Sequence, residues 1–198
     1  EYIMGIVLEH VFYKHNNSDK YFFKDLNLEI EDRTITGIVG KSGSGKTTLL
    51  ELICGLNKIY KGKILIDYKN IDEVRKNIGI VFQFPEEQFF EIKVKDEIEF
   101  AVKNYHIKKS KVKEVLSVVG LKKDILNKNI KDLNSWDKRL IAILSILIYN
   151  PRIILFDEPT IGLDYKNKKK IINLIKNLRN RYDKTIIIVS HDVDLLYE

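Results

Sequence analysis

The chain is poor in the features that would staple or anchor a fold. A single cysteine, Cys54, stands among 198 residues, which excludes an internal disulfide framework and makes a reducing cytosol the expected setting. The longest largely apolar run, LIAILSILI at 140–148, falls well short of the ~20 residues needed to span a bilayer, so it reads as a buried helix. The opening stretch EYIMGIVLEH lacks the basic and apolar regions of a secretory leader. There is no internal repeat, low-complexity tract or obvious linker. The net charge of +6 comes from lysines scattered among acidic neighbours. That pattern makes a solvated surface, and no specific nucleic acid is expected as a partner.

What is present suits a folded domain: 44% hydrophobic and 31% charged residues can enclose a core and still solvate it, and the length fits one domain with a subdomain. The period of the apolar residues changes twice along the chain. GIVLEHVFY (5–13), LNLEIE (26–31) and TITGIVG (34–40) read as strands, with the turn-rich KHNNSDK (14–20) between the first two. A helix follows, with Leu49, Leu52, Ile53 and Leu56 on one face, and then the strand candidates KILI (63–66) and NIGIVF (77–82). From about 94 to 149 the period is helical: Val94, Ile98, Ala101 and Val102 share a face, as do Val112, Val115, Leu116 and Val119. We read about 88–149 as a helical subdomain inserted into the rest. RIILFD (152–157) and TIIIVS (185–190) return to strand, separated by a helix carrying Ile171, Ile172, Ile175 and Leu178. Strands this continuously apolar suit a parallel sheet covered on both faces, hence an α/β class.

The strongest chemical signal is GKSGSGKTT: Gly40, Lys41, Ser42, Gly43, Ser44, Gly45, Lys46, Thr47 and Thr48. It satisfies G-x-x-x-x-G-K-[ST] and has a strand candidate before it and a helix after it. Glycines let the backbone turn with its N–H groups inward, so the loop and the helix N-terminus form a nest for phosphate. Lys46 adds a point charge near the β- and γ-phosphates, and Thr47 offers a hydroxyl to Mg²⁺, which binds few protein ligands and keeps several waters. A nucleotide with Mg²⁺ is therefore expected, and the resemblance given below makes it ATP. A second site must supply a carboxylate, and IILFDEPT (153–160) ends an apolar strand with Asp157, placed to hold Mg²⁺ through water, and Glu158, placed to align a water for attack on the γ-phosphate.

With these motifs the chain resembles the ATP-binding-cassette (ABC) ATPases over nearly its whole length. The resemblance implies a P-loop NTPase fold, with a mainly parallel core sheet, an N-terminal antiparallel β part and the inserted helical subdomain, as one nucleotide-binding domain over 1–198. The chain ends at Glu198, soon after His191, so C-terminal elements can be missing. Gln83 in VFQFPEEQFF resembles the Q-loop glutamine that reaches Mg²⁺ and the attacking water. Gly162, Leu163 and Asp164 resemble the D-loop, and His191 in IIIVSHD resembles the switch histidine near the γ-phosphate. His15 stands where the family stacks adenine on an aromatic, with Tyr13 two residues earlier. VFQFPEEQFF and VKDEIEFAVKN are similar to the ATPases of energy-coupling-factor transporters, importers of vitamins or of cobalt or nickel. Those ATPases pair on the cytoplasmic face of the membrane and drive an integral T component that carries a substrate-binding S component. By this resemblance Glu86 and Phe89 are expected to touch the membrane partner, with at least one of Phe84, Phe89 and Phe90 in the core.

One departure stands out. Where the family has Leu-Ser-Gly-Gly-Gln, this chain has Leu133, Asn134, Ser135, Trp136 and Asp137. In the family that signature faces the ATP held by the other subunit. Trp136 is expected to impede close approach and Asp137 to set negative charge near a polyanion, although Asn134 or Ser135 can also be read as a plain helix cap. Since the residues serving this chain's own ATP are present and only the surface offered in trans is altered, a heterodimer with a second ABC ATPase is expected. A soluble ABC ATPase acting on DNA or ribosomes, the ATPase of another ABC importer or exporter, and a non-hydrolysing nucleotide sensor are the alternatives.

Overall fold

A computed structural model of the chain describes residues 5–16 and 18–191. Asn17, within the turn expected at 14–20, and the termini 1–4 and 192–198 lie outside the described residues. The first half runs β1 (Gly5–Tyr13), β2 (Phe23–Glu31), β3 (Ile35–Val39), α1 (Lys46–Ile53), β4 (Lys61–Ile66), β5 (Lys69–Asn70), α2 (Ile71–Val74) and β6 (Ile78–Val81). It continues through α3 (Val94–Asn104), α4 (Lys109–Val119), α5 (Ser135–Leu147), β7 (Ile153–Asp157), α6 (Tyr165–Tyr182) and β8 (Thr185–Ser190).

Two four-stranded sheets result. The antiparallel one has the order β2-β1-β4-β5, and its central strand sets Ile6 and Leu8 opposite Ile30 and Leu28 on one side and Ile66 and Ile64 on the other. The other sheet, β3-β8-β7-β6, is parallel throughout. Every residue of β7 and β8 is buried. Alternation explains why: Ile154, Phe156, Ile186 and Ile188 pack into one core with α3 to α6, while Ile153, Leu155, Ile187 and Val189 pack into a second core with α1 and the antiparallel sheet. The edge strand β3 does not share this cover, since Ile35 and Val39 are exposed.

Two helical faces differ from the sequence expectation. α1 stops at Ile53 with Cys54 as its C-cap, so Leu56 lies beyond the helix and is exposed, and Leu50 takes its place in the core. On α6 the buried stripe is Ile171, Leu174, Ile175 and Leu178, the i, i+3, i+4, i+7 set, with Ile172 only half-buried beside it. Val112 is likewise half-buried on α4.

The sheets are joined at the amino-terminal end of the parallel strands. Arg152, just before β7, pairs with Asp32 (2.6 Å) after β2 and with Asp67 after β4. Thr185 Oγ1, at the start of β8, donates to the same Asp32 over 2.6 Å. The opposite, carboxyl-terminal end, where β3, β6, β7 and β8 run out into loops, is left for the site.

Candidate nucleotide site

Residues 40–48 connect β3 to α1. Gly43 and Gly45 have φ of 78° and 95°, in the left-handed region. At Gly45 a Cβ would also lie 2.3 Å from the Phe22 ring, so glycine is required twice over. Ser44 N–H donates to the Lys41 carbonyl at 3.1 Å, closing the turn. α1 then opens with no side-chain cap and no acidic residue in its first turn, which leaves its N-terminal N–H groups facing the cleft for an anion. Lys46 Nζ reaches back over the loop to the carbonyls of Gly40 (2.7 Å) and Lys41 (3.1 Å).

The second half of the chain arrives at the same point. Thr47 Oγ1 donates to Asp157 Oδ2 at 2.7 Å. Burial raises the Asp157 carboxyl above its ordinary pKa; the Thr47 hydrogen bond opposes this, the Glu158 charge adds to it, and Lys46 opposes it. Glu158 has φ 47°, an unusual conformation for a non-glycine residue, and its N–H donates to Val189 O at 2.9 Å. The turn throws its side chain against the end of β8. There Ser190 Oγ donates to Oε2 (2.9 Å) and His191 N–H to Oε1 (2.9 Å), with His191 Nδ1 also 2.9 Å from Oε1.

Gly43, Gly45, Lys46, Thr47, Asp157, Glu158 and His191 line one cleft of about 510 Å³ together with His15, Phe22, Ser42, Thr48, Gln83 and Ile161. His15 stands edge-on between Tyr13 and Phe22, each ring centroid 5.1 Å away. Phe22 is 41% exposed beside the phosphate loop and was not singled out from the sequence; the aromatic run Tyr21, Phe22, Phe23 after the 14–20 turn was the available signal. Ser190 was missed too, though it immediately precedes His191 on a strand end. Gly40, Lys41 and Ser44 do not line the cleft and shape the loop from behind. The residues fit Mg²⁺: a hydroxyl and a carboxylate converge at the loop, and the ion draws its remaining ligands from phosphate and water.

The signature-like stretch stands apart from this cleft. Asn134 caps α5, its Oδ1 accepting from Asp137 N–H at 2.8 Å and its Nδ2 donating to Asp137 Oδ2 at 3.1 Å. Ser135 is exposed, and the Trp136 indole is half-buried against the helical core, with Lys170 Nζ 4.9 Å from its ring centroid. At 162–164, Gly162 has φ 71°, Leu163 packs on the same core and Asp164 caps α6 through Asn167 N–H (2.8 Å). Glu86 is engaged within the chain by Arg139 Nε (3.1 Å) and Nη2 (2.8 Å). Phe89 is half-buried on the helical core, whereas Phe90 and Ile92 are 88% and 71% exposed.

The sequence model of the ABC transporter family matches residues 23–161, and an AAA-domain model matches residues 137–196. Energy-coupling factor transporter ATP-binding protein EcfA2 of Caldanaerobacter subterraneus subsp. tengcongensis is 38% identical over 96% of this chain and 72% of its own length. EcfA3 of Oenococcus oeni is 41% identical over 86% of this chain, which spans 64% of that relative. Among solved structures, cbiO1 from Clostridium perfringens, part of the ABC transporter complex cbiONQ, superposes with TM-score 0.88 at 29% identity, covering 98% of this chain and 81% of that one. The dimeric post-hydrolysis state of the cassette MJ0796, bound to ADP and Pi, gives 0.82 at 29% identity, covering 96% and 89%.

Proposed function

The chain belongs to the ABC transporter family, as an ATPase cassette similar to the energy-coupling-factor ATP-binding proteins, and from that premise we propose that it powers a membrane importer by hydrolysing ATP as one half of an asymmetric pair. The observation that carries this reading is the meeting of Thr47, Asp157 and Glu158 beside the phosphate loop in one cleft.

The loop N–H groups and Lys46 bind the phosphates, and the His15 and Phe22 edge of the cleft receives the adenine. Thr47, Asp157 and Gln83 would hold Mg²⁺, which would supply positive charge beside the phosphates. Glu158 aligns a water in line with the γ-phosphorus and takes up its proton, and ADP and phosphate leave without a covalent enzyme intermediate. His191, fixed by its backbone and ring to Glu158, orients that carboxylate and faces the γ-phosphate.

The partner cassette supplies the signature for this chain's ATP. In return this chain offers an α5 N-terminus whose Asp137 N–H is already taken by Asn134 and whose first turn carries a carboxylate, a poor receptor for the other γ-phosphate. The Gly162–Asp164 segment crosses to that partner. Phe90 and Ile92 form the face for an integral membrane component, which supports a peripheral position on the cytoplasmic side. Among the described residues no helix is long and apolar enough to cross a membrane. The transported vitamin or metal ion is selected by another component. Co-isolation with an integral membrane protein and a second cassette, with ATP turnover by the complex, tests the reading; isolation as a salt-sensitive nucleic-acid complex counts against it.

A further inference from the structure

Arg139, on the first turns of α5, is 4% exposed and uses its fork on two separate segments. Nε and Nη2 hold the Glu86 carboxylate side-on at 3.1 and 2.8 Å, and Nη1 donates to the Ile161 carbonyl at 2.9 Å. Such a planar, bidentate grip with a further donor is specific to arginine. Glu86 lies on the short 3₁₀ turn Pro85–Glu87 that follows Gln83. Ile161 closes the turn that begins at Glu158, its N–H donating to Glu158 O at 3.2 Å, and it lines the nucleotide cleft. The Phe84 ring lies near the same turn, since a Cβ built on Gly162 would come 3.9 Å from it.

We propose that Arg139 is a positioning residue for hydrolysis, tying the Gln83–Glu86 segment to the turn that carries Glu158 so that the water-aligning carboxylate and the glutamine keep one relative geometry. The Glu158 backbone is strained at φ 47° and needs support on both sides. Ser190 and His191 hold the side chain from β8. Arg139 holds the other end of the turn through Ile161. The exposed Phe90 and Ile92 continue the Glu86 segment, with Phe90 N–H and Glu91 N–H both donating to Glu97 Oε2 at 3.1 and 3.0 Å. A protein docked on Phe90 and Ile92 therefore pushes on a segment already fastened to the catalytic turn.

The inference rests on Glu158 as the group that aligns water, so Glu158→Gln is measured alongside. In the assembled complex, Arg139→Lys keeps the charge but not the three-way fork, and Glu86→Gln weakens the grip. Both are expected to keep MgATP affinity within about twofold while turnover falls roughly 10- to 100-fold. The reversed pair, Glu86→Arg with Arg139→Glu, is expected to recover thermal stability relative to its single changes yet not turnover, because a carboxylate at 139 cannot donate to the Ile161 carbonyl. Should the reversed pair not fold, the split between affinity and turnover in Arg139→Lys decides. Turnover within twofold of wild type in Arg139→Lys, full recovery of turnover by the reversed pair, or parallel loss of affinity, stability and turnover overturns the inference. If Glu158→Gln itself leaves turnover intact, the underlying assignment fails instead.

Discussion

Glu158 Oε1 sits 2.9 Å from both the backbone nitrogen and the Nδ1 of His191. A carboxylate held by two atoms of one residue has its direction fixed before substrate arrives, which is what alignment of a water requires.

Replacing Glu158 with Gln keeps an acceptor for the His191 N–H and removes the base. MgATP binding is expected to persist while turnover drops by about 100-fold or more. Lys46→Ala is expected to weaken binding itself. Equilibrium nucleotide binding and single-turnover hydrolysis, measured side by side, separate the two effects.

The Asp32, Arg152 and Thr185 cluster joins the sheets far from the nucleotide. Burial alone would raise the Asp32 carboxyl, but the Thr185 hydroxyl and the Arg152 guanidinium outweigh it and hold its pKa below the ordinary value. A depressed carboxyl contributes stability above its unfolded pKa and loses it as pH falls through the folded one. Asp32→Asn is therefore expected to cost about 1–2 kcal/mol at neutral pH, with the gap to wild type closing in acid. Denaturant midpoints at pH 7 and near pH 3 check the sign; a gap that widens in acid contradicts it.

The face at Phe90 and Ile92 is predicted to carry coupling. Phe90→Ser with Ile92→Ser is expected to leave the thermal midpoint and nucleotide affinity nearly unchanged, because both side chains are mostly in solvent. Recovery of the membrane component with the cassette is expected to fall at least tenfold, as two exposed apolar anchors contribute several kcal/mol to a typical interface. Normal recovery and normal uptake by the double variant would remove this face from the interface.

The sequence made legible what depends on neighbours along the chain. β1 and β8 begin and end where their β-branched runs do, and the phosphate loop declares itself because its glycines, lysine and threonine act within nine consecutive residues. Arg139 and Glu86 are 53 positions apart and lie in segments that only packing brings together, so nothing along the chain announces their pairing. The packing of Trp136 is hidden for another reason. A lone tryptophan beside a helix start does not reveal its packing along the chain, whereas the fold sets the indole half-buried against the helical core with Lys170 Nζ 4.9 Å from its ring centroid.

In the proposed asymmetric pair this chain supplies the competent phosphate site and borrows its signature. The most direct test pairs it with a cassette bearing Leu-Ser-Gly-Gly-Gln and measures ATP turnover after disabling one glutamate at a time. Glu158→Gln is expected to abolish most activity of the pair, whereas the same change in the partner costs little. The chain alone is expected to turn over poorly, and to improve when 133–137 is rewritten as Leu-Ser-Gly-Gly-Gln. If the unmodified chain alone hydrolyses ATP as fast as the mixed pair, and the pair responds equally to either glutamate change, the asymmetric account is wrong.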